Sequence, residues 1–455
     1  MSNTQTSTKE RWSSRLMFIL AVTGSAVGLG NIWKFPYITG ENGGGAFVLI
    51  YLICIAAIGI PIMIAEIMLG RSGRQSPINT MRILAKNSNA HPSWRYLGWF
   101  GVITGFIILS YYSVIAGWTL AYIVKAINGD FTGVSANDAQ TIFSHLVASP
   151  LQLTLWHSVF ILATMWIVAR GVHNGIEKAV RLLMPSLLIL LILLVAYALS
   201  YGDYARGLDF LFTPDFSKIS GESILIAMGH AFFTLSLGMG AIMIYGSYLP
   251  TGISIAKVSI IIAIADTGVA LLAGIAIFPL VFANGLEPTS GPGLIFQTLP
   301  IAFGQMSGGT FFAIIFFVLL GFAAFTSSIS IIEPAVAWLV ENKGWQRSKA
   351  CIYAGLLTWG LGMGTVFSFN YWKDIQFYSM TFFDFMDALT ANIMLPIGGM
   401  LIAIFSGWVM RESISREQLD MGKFYRLWYF LIRFVAPVSV FIVLLHAVGI
   451  AKTTG

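Results

Sequence analysis

The chain has 455 residues, of which 57% are hydrophobic and only 10% charged, and its mean hydropathy is +0.80. A soluble domain carries about 25% charge, so the composition excludes a soluble globular protein and reads as an integral membrane protein whose solvent is the lipid bilayer. The net charge of +6 comes from bases scattered over loops rather than gathered into a patch, which argues against a nucleic-acid partner. Cys54 and Cys351 lie in or beside separate apolar segments, so neither a disulfide framework nor metal or redox chemistry is indicated.

Residues 1–14 are expected to form an N-terminal cytoplasmic tail. The apolar run that begins near Leu16 has no cleavage pattern to outweigh its length, so no signal peptide is expected. At about 20 apolar residues per crossing, eleven transmembrane helices are expected. They fall near 15–39, 45–70, 97–127, 152–170, 176–200, 220–249, 254–283, 308–340, 349–369, 378–409 and 425–449. The fold class is all-α.

The first span is interrupted by Gly24, Gly28 and Gly30 and followed by Pro36. Each glycine weakens a helix by roughly 1 kcal/mol, and Pro36 lacks an amide hydrogen. Backbone groups freed there cannot face lipid and must line a polar cavity. The sixth span repeats the design at Phe232-Phe233-Thr234-Leu235-Ser236-Leu237-Gly238-Met239-Gly240. Glycines of this kind also serve as helix-packing positions. Two such breaks at matching places, with hydroxyls and an Asn inside them, favour a midplane binding site in a 5+5 inverted repeat. The halves would be residues 15–200 (helices 1–5) and 219–410 (helices 6–10), with helix 11 at 424–450 outside the repeat.

Lys and Arg crowd alternate loops, beginning with Arg71, Arg74, Arg82, Lys86 and Arg95. The other loops hold Asp130, Asp138, Asp203, Asp209, Asp215 and Glu287. By the positive-inside rule the N-terminus is cytoplasmic and the C-terminus outside. The connection from Asn284 to Ser307, rich in Pro and Gly, suits either a compact external lid or re-entrant element, or a plain hydrophobic connector. The loop from Arg411 to Lys423 is charged and helix-prone, a solvated face.

Polar groups inside spans are functional candidates by default. Thr326, Ser327, Ser328 and Ser330 in helix 8 either bond their own helix or face the unwound first helix. In the second case hydroxyl and carbonyl oxygens make a cage for a hard cation such as Na⁺. Asn31, Thr234 and Ser236 lie in the breaks. Half-helix N-termini there attract an anionic group while unwound carbonyls hold a cation, which fits a zwitterion and so an amino acid. Asp266, deep in helix 7, ligates Na⁺, carries a proton or is structural; Glu66 and Glu333, nearer the inner half, suit a release path. Tyr111, Tyr112, Phe232, Phe233, Met239 and Ile331 would wall an apolar pocket or simply pack. No His-Glu-x-x-His or Gly-x-Ser-x-Gly is present, so the chain does not read as an enzyme, and no organic cofactor is indicated.

The motifs Gly-Ser-Ala-Val-Gly-Leu-Gly-Asn-Ile-Trp-Lys-Phe-Pro, Glu-Asn-Gly-Gly-Gly-Ala-Phe, Phe-Phe-Thr-Leu-Ser-Leu-Gly-Met-Gly and Thr-Ser-Ser-Ile resemble, over nearly the whole chain, the neurotransmitter:sodium symporters. The likeness is strongest to bacterial amino-acid members with the leucine-transporter fold. The resemblance implies a first sodium site from the Ala26 carbonyl, Asn31 and Thr234. It implies a second from carbonyls of Gly24, Val27 and Ala323 with the hydroxyls of Thr326 and Ser327. Substrate carboxylate would meet the amides of Leu29 and Gly30 and the Tyr112 hydroxyl. Substrate ammonium would meet carbonyls of Ala26, Phe233 and Thr234 and the Ser236 hydroxyl. Ser25, Ile108, Tyr112, Ile115, Phe233, Met239, Ser327 and Ile331 would surround the side chain.

Gly28 stands where monoamine carriers of the family carry an Asp, so the resemblance implies amino acids rather than amines. The outer gate would pair Lys34 with Asp384. The inner gate, beside Trp12, would pair Lys9 with Glu341, Arg11 being a rival for Lys9. His230 stands where Gln is common. Asp266 would replace the chloride of animal members, which makes transport chloride-independent. Gly175 and Pro185 match a spacing associated with unwinding of helix 5, a packing kink being the alternative. The chain ends after helix 11, where the best-known members have twelve, which would remove a twelfth-helix dimer contact. The expected function is therefore Na⁺-coupled symport of a neutral, apolar or aromatic amino acid, using two ions, by alternating access in a bacterial inner membrane. The alternative is proton coupling through Asp266 or Glu66.

Overall fold

The structure, a computed structural model, describes residues 11–288 and 293–447. Lys9, the rest of the tail before Arg11, Gly291 and Pro292 of the 284–307 connection, and the end expected for helix 11 lie outside them. Ser14 opens the first helix: its hydroxyl accepts from the Met17 amide at 3.2 Å, an N-cap that satisfies one orphan donor. α1 (Arg15–Ala26) is then followed by α2 (Gly30–Glu41), bent away by 47°. Between them Val27 is extended, with φ −69° and ψ 102°.

α3 (Gly45–Gly73) is followed by the short α4 (Pro77–Asn87) and the long α5 (Pro92–Asn128). Next come α6 (Ala136–Ala148), α7 (Pro150–Ala169), α8 (Val172–Tyr201) and α9 (Tyr204–Phe212). A second break separates α10 (Gly221–Thr234) from α11 (Ala241–Ser247). Ser236, Gly238 and Gly240 all take left-handed φ there, +55°, +81° and +80°, a conformation glycine reaches at no steric cost. α12 (Ile255–Ala283), α13 (Leu299–Gln305), α14 (Gly309–Lys343), α15 (Arg347–Ser368), α16 (Phe382–Val409), α17 (Glu412–Leu419) and α18 (Phe424–Leu445) complete the order.

Among the described residues, nine helices are long and apolar enough to cross a bilayer, or ten if α1 and α2 count as one bent span. This is a multi-pass, all-helical membrane protein. The eleven expected crossings are not all reached by that measure, because α10 and α11 are separately too short. The centre is built by α14 lying along α5, with α3 against α11. At that last crossing a Cβ on Gly70 would stand 1.9 Å from the Met243 carbonyl oxygen. The two backbones meet as closely as small residues allow.

The short helices α4, α6 and α9 are absent from the sequence expectation, because a 20-residue apolar window registers only crossings. The connection from Asn284 to Ser307 holds a π-helical turn, Leu294–Thr298, that runs into α13. Leu294, Phe296, Leu299 and Phe303 of this element are buried, and Tyr122 donates to the Phe296 carbonyl at 2.8 Å. It is a folded element packed into the bundle rather than an open connector.

Candidate functional site

The two breaks face each other across a small, nearly closed cavity of about 10 Å³, lined by Ser25, Ala26, Gly28, Leu29, Gly30, Ile108, Tyr112, Phe233, Thr234, Ser236, Met239, Ser327 and Ile331. Sites for drug-sized ligands run from about 300 to 1,000 Å³, so the two breaks close tightly on each other here. The N-terminus of α2 and the C-terminal ends of α1 and α10 converge on it, which brings positive and negative helix ends to one cavity. The Leu29 amide donates to the Tyr112 hydroxyl at 3.3 Å. The Ser25 carbonyl accepts from Ser236 at 2.9 Å and from Ser327 at 3.1 Å.

Every residue expected to touch substrate through the two breaks, α5 and α14 lines this cavity, except Ile115. Tyr111 and Phe232 also do not line it. The Tyr111 hydroxyl bonds Thr390 at 3.0 Å and donates to Asp387 at 3.2 Å, while Phe232 packs against Gly399. Adjacent aromatics on one helix point roughly 100° apart, so one member of each pair must turn away. Gly28 is tightly enclosed: a Cβ there would stand 2.4 Å from the Ser327 hydroxyl oxygen and 3.0 Å from that of Tyr112.

Behind the cavity an oxygen cluster lies between α1 and α14. The Thr326 hydroxyl donates to the Ala323, Phe322 and Val27 carbonyls at 3.0, 3.2 and 3.5 Å, and Ser327 reaches the Val27 carbonyl at 3.4 Å. Thr326 thus bonds its own helix and also reaches across to α1. Oxygens about 3.3–3.7 Å apart are what an octahedral shell of radius 2.3–2.6 Å requires; the two contacts to the Val27 carbonyl have that spacing, and hydroxyl and carbonyl oxygens are the donors a hard cation takes. Gly24 stands beside it, a Cβ there lying 3.3 Å from Thr326 Cβ. Ser328 does not join the cluster; it bonds Thr164 of α7 at 3.0 Å and its own helix at Phe325. Ser330 instead receives the Ser25 hydroxyl at 2.7 Å.

On the other side of the cavity Asn31, Thr234 and Asp266 meet. Asn31 donates to an Asp266 carboxylate oxygen at 2.7 Å and to its carbonyl at 3.0 Å. Thr234 donates to both carboxylate oxygens, at 3.2 and 3.1 Å. The Gly28 amide donates to the Asn31 side-chain oxygen at 3.0 Å, which orients the amide. Asp266 is fully buried and thus supplies a carboxylate where the α1–α2 break and the end of α10 come together.

Glu66 and Glu333 are also buried. Glu66 receives the Gly238 amide at 2.6 Å and so braces the second break. Glu333 receives the Tyr248 hydroxyl at 2.8 Å and pairs with Arg347.

Above the cavity Lys34 contacts Asp387 at 2.9 and 2.8 Å and stands 5.0 Å over the Phe233 ring. The expected partner, Asp384, instead receives the Thr381 hydroxyl at 2.7 Å at the start of α16. The two aspartates are three residues apart on one helical face, and only the approach of α2 selects the second. At the opposite end Trp12 is 2% exposed. Its ring N–H donates to the Tyr245 carbonyl at 3.0 Å, and it meets the Tyr245 and Tyr248 rings edge-on. Glu341 receives the Ser76 amide at 2.9 and 3.0 Å and the Asn79 amide at 2.8 Å. Arg11 makes no ion pair with it among the described residues.

The start of α8 is a π-helical stretch, Val172–Glu177, entered through Gly171 at φ +83°, and Pro185 lies inside the helix. A Cβ on Gly175 would stand 2.1 Å from the Ile167 carbonyl oxygen, so close packing against α7 accounts for that glycine. Sequence reasoning missed Glu177, which receives the Ser13 amide at 2.7 Å and ties the entry of α1 to α8. A carboxylate beside a helix end carries no signal of a partner 164 residues away.

Comparison with known proteins places this geometry. The profile of the sodium:neurotransmitter symporter family matches residues 9–142 and 143–454. The chain is 38% identical over 445 residues to the uncharacterized sodium-dependent transporter YhdH of Bacillus subtilis, covering 97% of this chain and 98% of that one. It is 35% identical to an uncharacterized sodium-dependent transporter of Haemophilus influenzae, covering 96% and 97%. The crystal structure of MhsT in complex with L-phenylalanine superposes with a TM-score of 0.90 at 43% identity, over 96% of this chain and 99% of that chain.

Proposed function

The chain belongs to the sodium:neurotransmitter symporter family, and from that premise we propose that it couples Na⁺ entry to import of a neutral, apolar or aromatic amino acid by alternating access. The observation that carries this reading is the small cavity between two broken helices, flanked by two oxygen clusters. A carboxylate is received by the Leu29 and Gly30 amides and the Tyr112 hydroxyl. The ammonium is received by carbonyls of Ala26, Phe233 and Thr234 and by Ser236. Ser25, Ile108, Met239, Ser327 and Ile331 surround the side chain. One sodium takes Ala26, Asn31, Thr234 and Asp266; a second takes Gly24, Val27, Ala323, Thr326 and Ser327. The full charge of Asp266 beside the first ion makes a separate anion unnecessary, hence chloride independence.

Counting α1–α2 and α10–α11 as one broken crossing each gives eleven spans and a 5+5 inverted repeat, residues 15–200 and 219–410, with 424–450 outside it. Basic loops put the Trp12 end in the cytoplasm of a bacterial cell and the C-terminus outside. Lys34 with Asp387 closes the outer side. Trp12, Glu341 and a cation of the amino-terminal segment, Lys9 or Arg11, close the inner one. Loosening of α8 between Gly175 and Pro185 opens the second sodium to water. Moving one charge across 100 mV supplies about 2.3 kcal/mol. The test is uptake of radiolabelled leucine, phenylalanine and tryptophan into proteoliposomes, with Na⁺ against choline outside and an imposed proton gradient as control. Uptake that requires Na⁺ and is lost in Thr326→Ala is expected. Uptake that follows the proton gradient and ignores Na⁺ would replace this reading by proton coupling through Asp266 or Glu66.

A further inference from the structure

At the Trp12 end a second, larger cavity of about 830 Å³ opens to solvent, lined by Arg11, Arg74, Asn79, Arg82, Glu341 and Arg347 among others. Its arginines come from four separate places: before α1, after α3, on α4 and at the start of α15. Arg347 pairs with Glu333. Among the described residues the one carboxylate that lines the cavity, Glu341, is already engaged by the Ser76 and Asn79 amides. Arg74 donates to the Ser247 carbonyl at 3.3 Å and to that of Leu249, both neutral acceptors. Among the described residues no carboxylate lies within ion-pair distance of Arg11, Arg74 or Arg82. Burial, and then the Arg11 charge, hold the Arg74 guanidinium below its ordinary value, so the two cations share one field.

Three guanidinium groups around one cavity repel each other unless an anion sits among them. We propose that this cavity binds a phosphate-class anion held by Arg11, Arg74 and Arg82. The planar fork of arginine matches phosphate oxygens two at a time, and three forks from three elements suit a group with oxygens on several sides. The phosphate can come from a soluble compound or from the headgroup of an anionic phospholipid. Such an anion would tie the entry of α1 to α3 and α4.

The test uses the full chain in phosphatidylcholine nanodiscs and radiolabelled inorganic phosphate at low ionic strength, with chloride as the competing control. Saturable binding is expected, about ten- to a hundredfold weaker in Arg82→Gln, since one charge-assisted contact is removed, and only partly recovered in Arg82→Lys, which restores the charge without the fork. Arg82 is exposed on α4 and lies outside the transport site, so both variants should fold. A second arm adds phosphatidylglycerol to the discs. Phosphate displaced by that lipid identifies a headgroup site; phosphate unaffected identifies a soluble ligand. Binding that does not saturate, or is equal in the unmodified chain and Arg82→Gln, overturns the proposal.

Discussion

Gly28→Ala is the sharpest perturbation of the central site. Its Cβ would stand 2.4 Å from the Ser327 hydroxyl oxygen, so that oxygen must recede by about 0.6 Å to reach a 3.0 Å contact (3.0 − 2.4 = 0.6). Ser327 now reaches the Ser25 and Val27 carbonyls at 3.1 and 3.4 Å, and the added methyl also lies 3.0 Å from the Tyr112 hydroxyl. One methyl group thus presses on the second oxygen cluster and on the group expected to meet the substrate carboxylate. Overpacking of this kind costs about 1–3 kcal/mol, which becomes roughly a 5- to 140-fold loss if it falls on binding. Uptake kinetics in proteoliposomes should therefore show KM for the amino acid and half-activation by Na⁺ rising together. Gly360→Ala is the control, because nothing lies within 4 Å of its Cβ. Unchanged KM and sodium activation in Gly28→Ala would refute the placement of substrate and cation against Ser327.

Four further outcomes follow from named contacts. Asp387→Asn should slow uptake or raise KM several-fold through loss of the Lys34 pair, while Asp384→Asn stays near the unmodified chain; equal effects would restore Asp384 as the gate. Asp266→Asn should shift sodium activation to higher concentration and make uptake respond to chloride, read by exchanging chloride for gluconate. Glu66→Gln keeps an acceptor for the Gly238 amide, whereas Glu66→Ala leaves that buried donor unpaired at a cost of about 1–3 kcal/mol. Thermal unfolding should therefore fall for Ala and hold for Gln, and Na⁺-driven uptake that survives in Glu66→Gln excludes Glu66 as a proton carrier. Trp12→Phe removes the N–H donated to the Tyr245 carbonyl. It should raise the accessibility of cysteines placed along α1 to a reagent applied from the Trp12 side.

The long apolar helices were legible because the bilayer imposes one length and one composition on each of them, and the expected count of eleven exceeds the nine or ten found among the described residues. The breaks were legible because Gly28, Gly238 and Gly240 stand with other glycines, hydroxyls and an Asn at matching places in two apolar spans. The cavity-lining residues of α1, α2, α10 and α11 follow directly from those breaks. The partners of charged groups were not legible. Asp384 and Asp387 share a helical face, and the choice between them depends on where α2 carries Lys34. Tyr111 and Tyr112 are adjacent in sequence, yet one bonds Asp387 and the other lines the cavity. Ser327 and Ser328 divide in the same way, toward α1 and toward α7. The short amphipathic helices α4, α6 and α9 escaped because they never cross.

The sequence by itself determined the solvent of this protein, the places where its helices fail and the chemical kinds of group present at those failures. These are local properties: hydropathy, backbone freedom and side-chain functionality act within a turn or two. Only the tertiary structure decided which oxygens share a centre, which carboxylate meets Lys34 and that Arg11 opens on one cavity with Arg74 and Arg82. A hydrogen bond or ion pair acts over about 3 Å, and which groups come that close depends on the packing of helices hundreds of residues apart along the chain.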